Sequence, residues 1–273
     1  MKNVTLNKVQ LSDGVFVISD KDILSECESV YKDLYASKID NSVNFAFFQQ
    51  ANETFLTPDE QQVCDSLLTK TECEEALKSM NADKTHGTDG LPAEFYKAFW
   101  DDISTHLLSA LNFAYESGCQ RRGIIKLIPK KSIEPFYIKN WRPITLLNTD
   151  YKIAAKAIAN RIKPVLRKLI NNDQTGFMKG RLIGENIRLI DGIIQYATQH
   201  NVPGLLLFID FEKAFDSLEW PFIFYTLRFF GFGPSLINWV RTFYCNIESC
   251  VLNNGWSSNF FQPQRGVRQG CPL

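Results

Sequence analysis

The sequence predicts an α+β protein, mostly helical with a small antiparallel sheet. Apolar residues recur at helical spacing over 22–36 and again over 150–170, which marks two amphipathic helices. Two short apolar runs, Ile124–Ile128 and Ile144–Leu147, read as paired strands, and Asn254-Gly255 is the dipeptide that favours a type I′ hairpin turn. With 273 residues and 45% hydrophobic content, the chain can bury one large or two modest cores.

In the first helix, Ile23, Leu24, Cys27, Val30, Tyr31, Leu34 and Tyr35 line one face, which should dock on a neighbour. The stretch 41–52 lacks periodicity. Thr57, Pro58, Asp59 and Glu60 then supply an N-cap, a first-turn proline and two acids, and Thr71 with Glu74 has capping-box spacing for a further helix. Residues 85–90 form a loop in which Gly87 and Gly90 bracket Asp89, and Pro92 opens a helix with the apolar face Phe95, Phe99 and Trp100. Between the paired strands lies a basic loop with Lys130, Lys131 and Lys139, and Arg142 follows. In the helix from Asp150 to Ile170, Ile153, Ala157, Ile158, Ile162, Val165 and Leu169 face the core. Lys152, Lys156, Arg161, Lys163, Arg167 and Lys168 crowd the remainder, and Pro164 should kink or divide it. Gly204–Ile209 is apolar throughout, as a strand covered on both faces would be, and runs into Asp210. A helix near 212–230, another over Pro234–Tyr244 and a hairpin over Ile247–Asn259 complete the prediction.

Total charge is zero, but its distribution is not even. Residues 1–118 carry 9 basic and 20 acidic side chains, residues 119–181 carry 15 and 3, and residues 182–273 carry 6 and 7. The basic middle third suits a polyanion, or it forms a solvated face that offsets the acidic first third. Seven scattered cysteines, none spaced as Cys-x-x-Cys, point away from a zinc site or a disulfide framework and toward a reduced intracellular setting, nuclear or cytoplasmic. No leader-like segment opens the sequence, and its longest clean apolar run, Leu205–Ile209, is too short to span a bilayer, so no membrane partner is expected.

Asp210 is the foremost candidate for chemistry, because a carboxylate at the end of a rigid strand can fix a hard cation such as Mg²⁺; it could equally cap the helix that follows. Asp216, six residues on along a helix, would face away from Asp210 and is assigned a structural role. The loop from Arg265 to Leu273 (RGVRQGCPL) combines two arginines, an amide and two glycines, which suits close approach to a phosphate or base.

That loop and Phe208–Asp216 (FIDFEKAFD) resemble two ordered motifs of non-LTR, LINE-type reverse transcriptases. Gly87–Gly90 (GTDG) through Tyr96, Leu127–Lys130 (LIPK), Asn140–Ile144 (NWRPI) and Gln174–Arg181 (QTGFMKGR) resemble that family's fingers motifs, in the expected order. The resemblance is strong over 84–273 and weaker over 12–36. It implies a right-hand polymerase: a helical connector over 1–83, fingers over 84–200 and the start of a palm over 201–273. The activity implied is RNA-directed DNA synthesis by two-metal phosphoryl transfer, with Mg²⁺ as cofactor and an RNA template, a DNA primer and deoxynucleoside triphosphates as partners. On this resemblance Asp210 ligates the catalytic metals, and the backbone at Phe211 lies near the triphosphate. Phe215 matches a steric gate against a ribose 2′-hydroxyl, or is an ordinary core phenylalanine. Arg142 and one of Lys130 and Lys131 hold the triphosphate, Gln269 and Gly270 contact nucleotide and template, and Gln174, Gly176, Phe177 and Arg181 lie near the template-primer.

The family's remaining metal ligands come from an aromatic-Ala-Asp-Asp hairpin that does not occur before Leu273, and Asp101-Asp102 lies too early, in a helical context, to replace it. One aspartate should not clamp two ions about 3.5–4 Å apart. The palm strand before Asp210 is then expected to leave apolar surface and ladder groups exposed, which favours self-association. Two other readings of the segment are a non-catalytic RNA-binding module and an inert transposon remnant. The sequence reading predicts that a purified polypeptide of residues 1–273 gives no primer extension on an RNA template; incorporation of labelled deoxynucleotide would overturn it.

Overall fold

The computed structural model describes residues 5–40, 54–117, 121–131 and 134–273. The irregular stretch expected over 41–52 lies outside them. Of the described residues nearly half are helical, and the α+β class is borne out.

A two-stranded antiparallel ribbon, β1 (Val9–Gln10) and β2 (Phe16–Val17), precedes α1 (Asp20–Leu34). Ser19 caps α1 by accepting a bond from the Asp22 amide, and the buried face of Ile23, Leu24, Cys27 and Tyr31 is the one the apolar spacing predicts. The next helix, α2 (Pro58–Cys64), starts as expected at Thr57, whose hydroxyl accepts from the Glu60 amide while the Glu60 carboxylate accepts from the Thr57 amide. The following capping box lies two residues before the predicted one. Thr69 and Glu72 close it, and Thr71 sits inside α3 (Lys70–Lys78). Both Thr69 and Thr71 have an acid three residues on; Glu72 is selected because it also meets Arg161.

Pro92 opens α4 (Ala93–Ala98), but the helix ends at Phe99, which is half exposed, and Trp100 begins α5 (Trp100–Ser117) as a buried residue. The predicted single helix face is therefore split between two helices. The strand β3 (Arg121–Pro129) pairs with β4 (Trp141–Leu146), as expected; the pairing is antiparallel, from Ile124 opposite Leu146 to Pro129 opposite Trp141. A 3₁₀ turn at Ile138–Asn140 leads into β4. The 21-residue helix α6 (Thr149–Leu169) follows, and Pro164 does not divide it. Next come α7 (Ile183–Gln199), α8 (Trp220–Phe229) and α9 (Pro234–Tyr244). Residues 212–217 are turns, so the helix expected near 212–230 begins only at Trp220.

The hairpin is present: β5 (Ile247–Asn253) and β6 (Trp256–Ser257) flank Asn254 and Gly255, both at positive φ (50° and 84°), as a type I′ turn requires. The sheet itself corrects the prediction. Its strand order is β4-β3-β5-β6, and β3 runs parallel to β5, so a mixed sheet of four strands stands beside the small antiparallel ribbon. Pairing of β3 with a strand more than 120 residues later carries no signature in either segment's composition.

The buried apolar residues form two cores, one of them against this sheet. One packs Leu6, Val9, Ile23, Leu24, Cys27, Tyr31 and Tyr35 against Ile125, Leu127 and Val251. It is tied down by Asn253, whose amide donates to the Leu6 carbonyl at 2.9 Å and accepts from the Leu6 amide at 3.0 Å. The larger core gathers α2, α3, α5, α6, α8 and α9 about Trp239, Phe243, Leu236, Ile153 and Ile158, all fully buried. Each such side chain contributes about 1.5–3 kcal/mol relative to exposure.

Gly204–Ile209 is the chief departure. It is not a strand, and Leu205, Leu207, Phe208 and Ile209 are at least 70% exposed. On α7, Ile183, Ile187, Leu189, Ile193 and Ile194 are exposed as well, and none of its residues is buried. An all-apolar run becomes a strand only when neighbours take its backbone bonds and cover its faces.

A second correction concerns Arg161, predicted for the basic outer face of α6. It is only 8% exposed. Its guanidinium donates to the Ser66 and Leu67 carbonyls, each at 2.6 Å, and forms a bidentate pair with Glu72. Burial pushes the Glu72 carboxyl up, but the bonds from Arg161 and Thr69 outweigh it and hold the group below its usual range. Removing one partner strands the other charge in a nearly dry site. Arg161→Ala is therefore expected to destabilise the fold by about 3–5 kcal/mol, read as a lowered midpoint of denaturant unfolding, whereas Lys163→Ala on the exposed face should leave the midpoint nearly unchanged.

Candidate active site

Where β3 ends and β4 begins, a cleft of about 230 Å³ opens against α1, lined among others by Lys130, Arg142, Lys213, Asp216 and Gln269. Three residues proposed for the nucleotide from sequence thus come together. Lys130 follows Pro129 at the end of β3, its amide donating to the Asn140 carbonyl at 2.9 Å and its ammonium to the Lys139 carbonyl at 2.8 Å. Arg142, the second residue of β4, presents an exposed guanidinium that makes no ion pair among the described residues. Lys131 is exposed and does not line the cleft.

Gln269 arrives from the far end of the chain. Its carbonyl accepts the Thr145 amide of β4 at 2.7 Å, and its side-chain amide donates to both carboxylate oxygens of Asp216 at 3.2 Å. Gly270 follows at φ +112°, and a Cβ there would stand 2.6 Å from the Thr145 carbonyl oxygen, so only glycine lets the loop lie this close to β4. On its other side the loop grips residues 215–219: the Gly266 amide donates to Leu218 O at 2.7 Å, Val267 to Phe215 O at 2.8 Å, and Arg265 pairs with Glu219 at 3.6 Å. The arginines of this loop are thereby structural. Arg268 is buried, its guanidinium over the Tyr151 ring at 4.8 Å.

Asp216 is the residue whose importance the sequence understated. It is 5% exposed and accepts from Tyr35 Oη at 3.2 Å as well as from Gln269. Burial raises its carboxyl above the ordinary aspartate range, and the bonds from Gln269 and Tyr35 and the charges of Lys213 and Lys130 partly offset that rise. Lys213 stands three residues before it in the same motif. The other missed contributor is α1, which supplies Val30, Tyr31 and Leu34 to the cleft wall and so brings the first 40 residues to the site. No local feature of α1 marks it as a site element; only its apolar face, which must pack on the sheet, hints at where it lies.

Of the remaining predicted residues, Phe215 and Phe177 meet edge to face with centroids 6.2 Å apart, and both are exposed. Phe177 takes a left-handed conformation at φ 61°. The Gln174 amide donates to Gly176 O at 3.1 Å, which folds that loop on itself. Arg181 donates to the carbonyls of Asn171, Gln174, Arg167 and Ile170, closing the C-terminal end of α6; these bonds occupy its guanidinium with the protein's own backbone. Phe211 lines a separate apolar hollow with Ile39, Leu218 and Phe222. Asp210 is exposed and outside the residues that line the Lys130–Arg142 cleft.

Residues 128–273 match the family model described as reverse transcriptase (RNA-dependent DNA polymerase). The chain belongs to that family. The LINE-type resemblance is borne out by relatives from mobile elements. One is a transposon TX1 uncharacterized 149 kDa protein of Xenopus laevis, 39% identical over 212 residues, covering 76% of this chain and 16% of the relative. Another is a retrovirus-related Pol polyprotein from a type-2 retrotransposable element of Drosophila melanogaster, 31% identical over 137 residues, covering 50% of this chain and 13% of the relative. A third is an RNA-directed DNA polymerase from the mobile element jockey of Drosophila funebris, 23% identical over 227 residues, covering 81% and 25%. The chain thus spans about a sixth of the Xenopus relative's length.

Reverse transcriptases depend on a divalent metal, and the donor set of this reverse transcriptase chain can be compared with that need. Among the described residues no three His, Cys, Asp or Glu side chains lie close enough to hold an ion. Asp210 offers one exposed carboxylate, while Asp216 has its oxygens engaged by Tyr35 and Gln269. A Mg²⁺ ion demands near-octahedral oxygen coordination, so this set does not complete a metal site. No helix among the described residues is long and apolar enough to cross a membrane.

The buried Asp216 carries a stability signature with a definite sign. Because its folded-state pKa is raised, the protonated form favours folding, and that contribution fades as pH rises through the raised value. Asp216→Asn, which keeps an acceptor for Tyr35, is expected to gain stability relative to the parent as pH increases from below the ordinary aspartate range toward neutrality. Urea midpoints of the pair across that window decide it; a difference independent of pH refutes the assignment.

Proposed function

We propose that this chain supplies the fingers and the first part of the palm of an RNA-directed DNA polymerase, and that the cleft of Lys130, Arg142 and Gln269 receives the incoming deoxynucleoside triphosphate. In this reading residues 1–83 are a connector, 84–200 the fingers and 201–273 the start of the palm. What carries the proposal is one observation: Lys130 and Arg142 converge on a single cleft with Gln269, which lies more than 120 positions further along the chain, and neither cation has a carboxylate bound to it among the described residues.

Arg142 offers a planar fork to two phosphate oxygens, and Lys130 a point charge held in place by the Lys139 carbonyl. Gln269 is oriented by Asp216, so the carboxylate acts on the nucleotide through the amide and not directly. Phe215, paired with Phe177, stands as the proposed gate that discriminates ribose from deoxyribose. Asp210 would give one carboxylate oxygen to Mg²⁺, whose other positions the described residues do not fill. RNA template and DNA primer are the proposed macromolecular partners.

Titration of residues 1–273 with a fluorescent deoxynucleoside triphosphate tests the cleft. Arg142→Ala, which removes a charge-assisted contact, should weaken binding about tenfold or more. Lys131→Ala should leave it unchanged. Equal affinity for parent and Arg142→Ala would place the triphosphate elsewhere.

A further inference from the structure

One wall of the Lys130–Arg142 cleft is α1, which lies outside residues 128–273 matched by the family model. We propose that Tyr35, at the C-terminal end of α1, is a positioning residue for this cleft: through Asp216 it sets which way the Gln269 amide points, and so how tightly a triphosphate is held. The inference rests on reading the Lys130–Arg142 cleft as the nucleotide site.

The relay from Tyr35 to Gln269 is short and dry. Tyr35 and Asp216 are both buried, at 4% and 5% exposed. Tyr35 Oη donates to Asp216 Oδ1 at 3.2 Å, and the Gln269 side-chain amide donates to both oxygens of the same carboxylate, each at 3.2 Å. Burial first, and then the charge of Asp216, push the Tyr35 hydroxyl far above its ordinary range, so it keeps its proton and serves Asp216 as a donor. The bonds from Gln269 and Tyr35 in turn oppose the rise that burial imposes on the Asp216 carboxyl, and so favour its ionised form. An ionised carboxylate only accepts. The Gln269 amide must therefore turn its NH₂ toward Asp216, which leaves its Oε1 as the end free for a donor on the ligand. At so buried a position solvent does not take over the bond from Tyr35, and without it the carboxylate that orients Gln269 is held on one side only.

The backbone at the end of α1 grips the same loop. The last carbonyls of a helix lack partners within it, and the loop supplies them: the Gln264 and Arg265 amides donate to Tyr35 O at 2.8 and 3.2 Å, and Arg265 Nε donates to Leu34 O at 2.9 Å. Just beyond, the Ser37 amide donates to Gln264 Oε1 at 3.1 Å, while Ser37 Oγ and the Lys38 amide donate to the Glu219 carboxylate at 2.8 and 2.9 Å. Gly266 permits this meeting, because a Cβ there would stand 2.5 Å from Asp216 O and 3.1 Å from Tyr35 Cδ1. These bonds place the loop as a whole, and the Tyr35 hydroxyl adds the orientation of Asp216 within it. The hydroxyl can be removed without altering any of the backbone bonds, which separates its role from that of the rest of α1.

A double-mutant cycle tests this, read by titrating residues 1–273 with a fluorescent deoxynucleoside triphosphate. Tyr35→Phe keeps the ring and its stack on Tyr31, with centroids 6.2 Å apart, and should weaken binding about threefold to tenfold. In a Gln269→Ala background the same substitution should change affinity by less than about twofold, because the amide it acts through is gone. Asp216→Asn keeps one of the two acceptor oxygens and should show the same pattern, a loss in the parent background and none beside Gln269→Ala; it decides the matter if circular dichroism shows that Tyr35→Phe folds poorly. Losses of equal size in both backgrounds overturn the inference, since a general loosening of the fold gives that result. Parental affinity in Tyr35→Phe or in Gln269→Ala overturns it as well. Arg142→Ala reports separately on the cleft. If it weakens binding while the cycle shows no coupling, the nucleotide site stands and the positioning role falls; if it binds as the parent does, the nucleotide site falls and this inference with it.

Discussion

The parallel pairing of β3 with β5 is the constraint on which the rest of the structure depends. Six residue pairs, from Arg121 opposite Ile247 to Lys126 opposite Leu252, join the middle of the chain to its last quarter. That union fixes the ends of β3 and β4, where Lys130 and Arg142 stand, relative to the loop that follows the hairpin. The loop then bonds to β4 at Thr145 and to residues 215–219, so Gln269 and Asp216 reach the same cleft. Closing so long a loop costs conformational entropy, and the two cores supply the apolar burial that offsets it.

The helix α6 links core and surface. Its apolar face packs against α2, α3 and α9, Arg161 ties it to Glu72 and the carbonyls before α3, and Arg181 closes its C-terminal end. The net positive charge of the middle third is thus divided between two uses. Arg161 and Arg181 are spent on protein carbonyls, whereas Arg142 presents an exposed guanidinium to the cleft it shares with Lys130, and Lys130, Lys152 and Lys156 line clefts while each donates to a single carbonyl. Charge counting alone could not separate these groups, because a guanidinium that satisfies backbone acceptors and one that awaits a phosphate look identical in sequence.

Much of the local structure was legible. The spacing of Ile23, Leu24, Cys27 and Tyr31 gave the buried face of α1, Thr57-Pro58 gave the start of α2, and Asn254-Gly255 gave the hairpin. That β3 pairs with β4 also followed from the two apolar runs, though their register did not. Each of these depends on residues within one or two elements. The misplaced capping box shows the limit: Thr69 and Thr71 offer the same local spacing, and a contact from Arg161 distinguishes them. Among site residues, Lys130, Arg142 and Gln269 were identified through motif resemblance, whereas the part played by Tyr35, Lys213 and Asp216 was not.

The sequence by itself determined the α+β class, the family and the extents of α1, α6 and α9 to within about two residues, because periodicity, caps and turn chemistry act over a few residues. Only the tertiary structure decided that β3 runs parallel to β5, that Asp216 is buried beneath Gln269, and that Gly204–Ile209 stays outside the sheet. The physical reason is common to all three. Strand pairing, burial of a carboxylate and coverage of an apolar run are settled by what lies across from a residue in space, and distant segments of chain provide those neighbours.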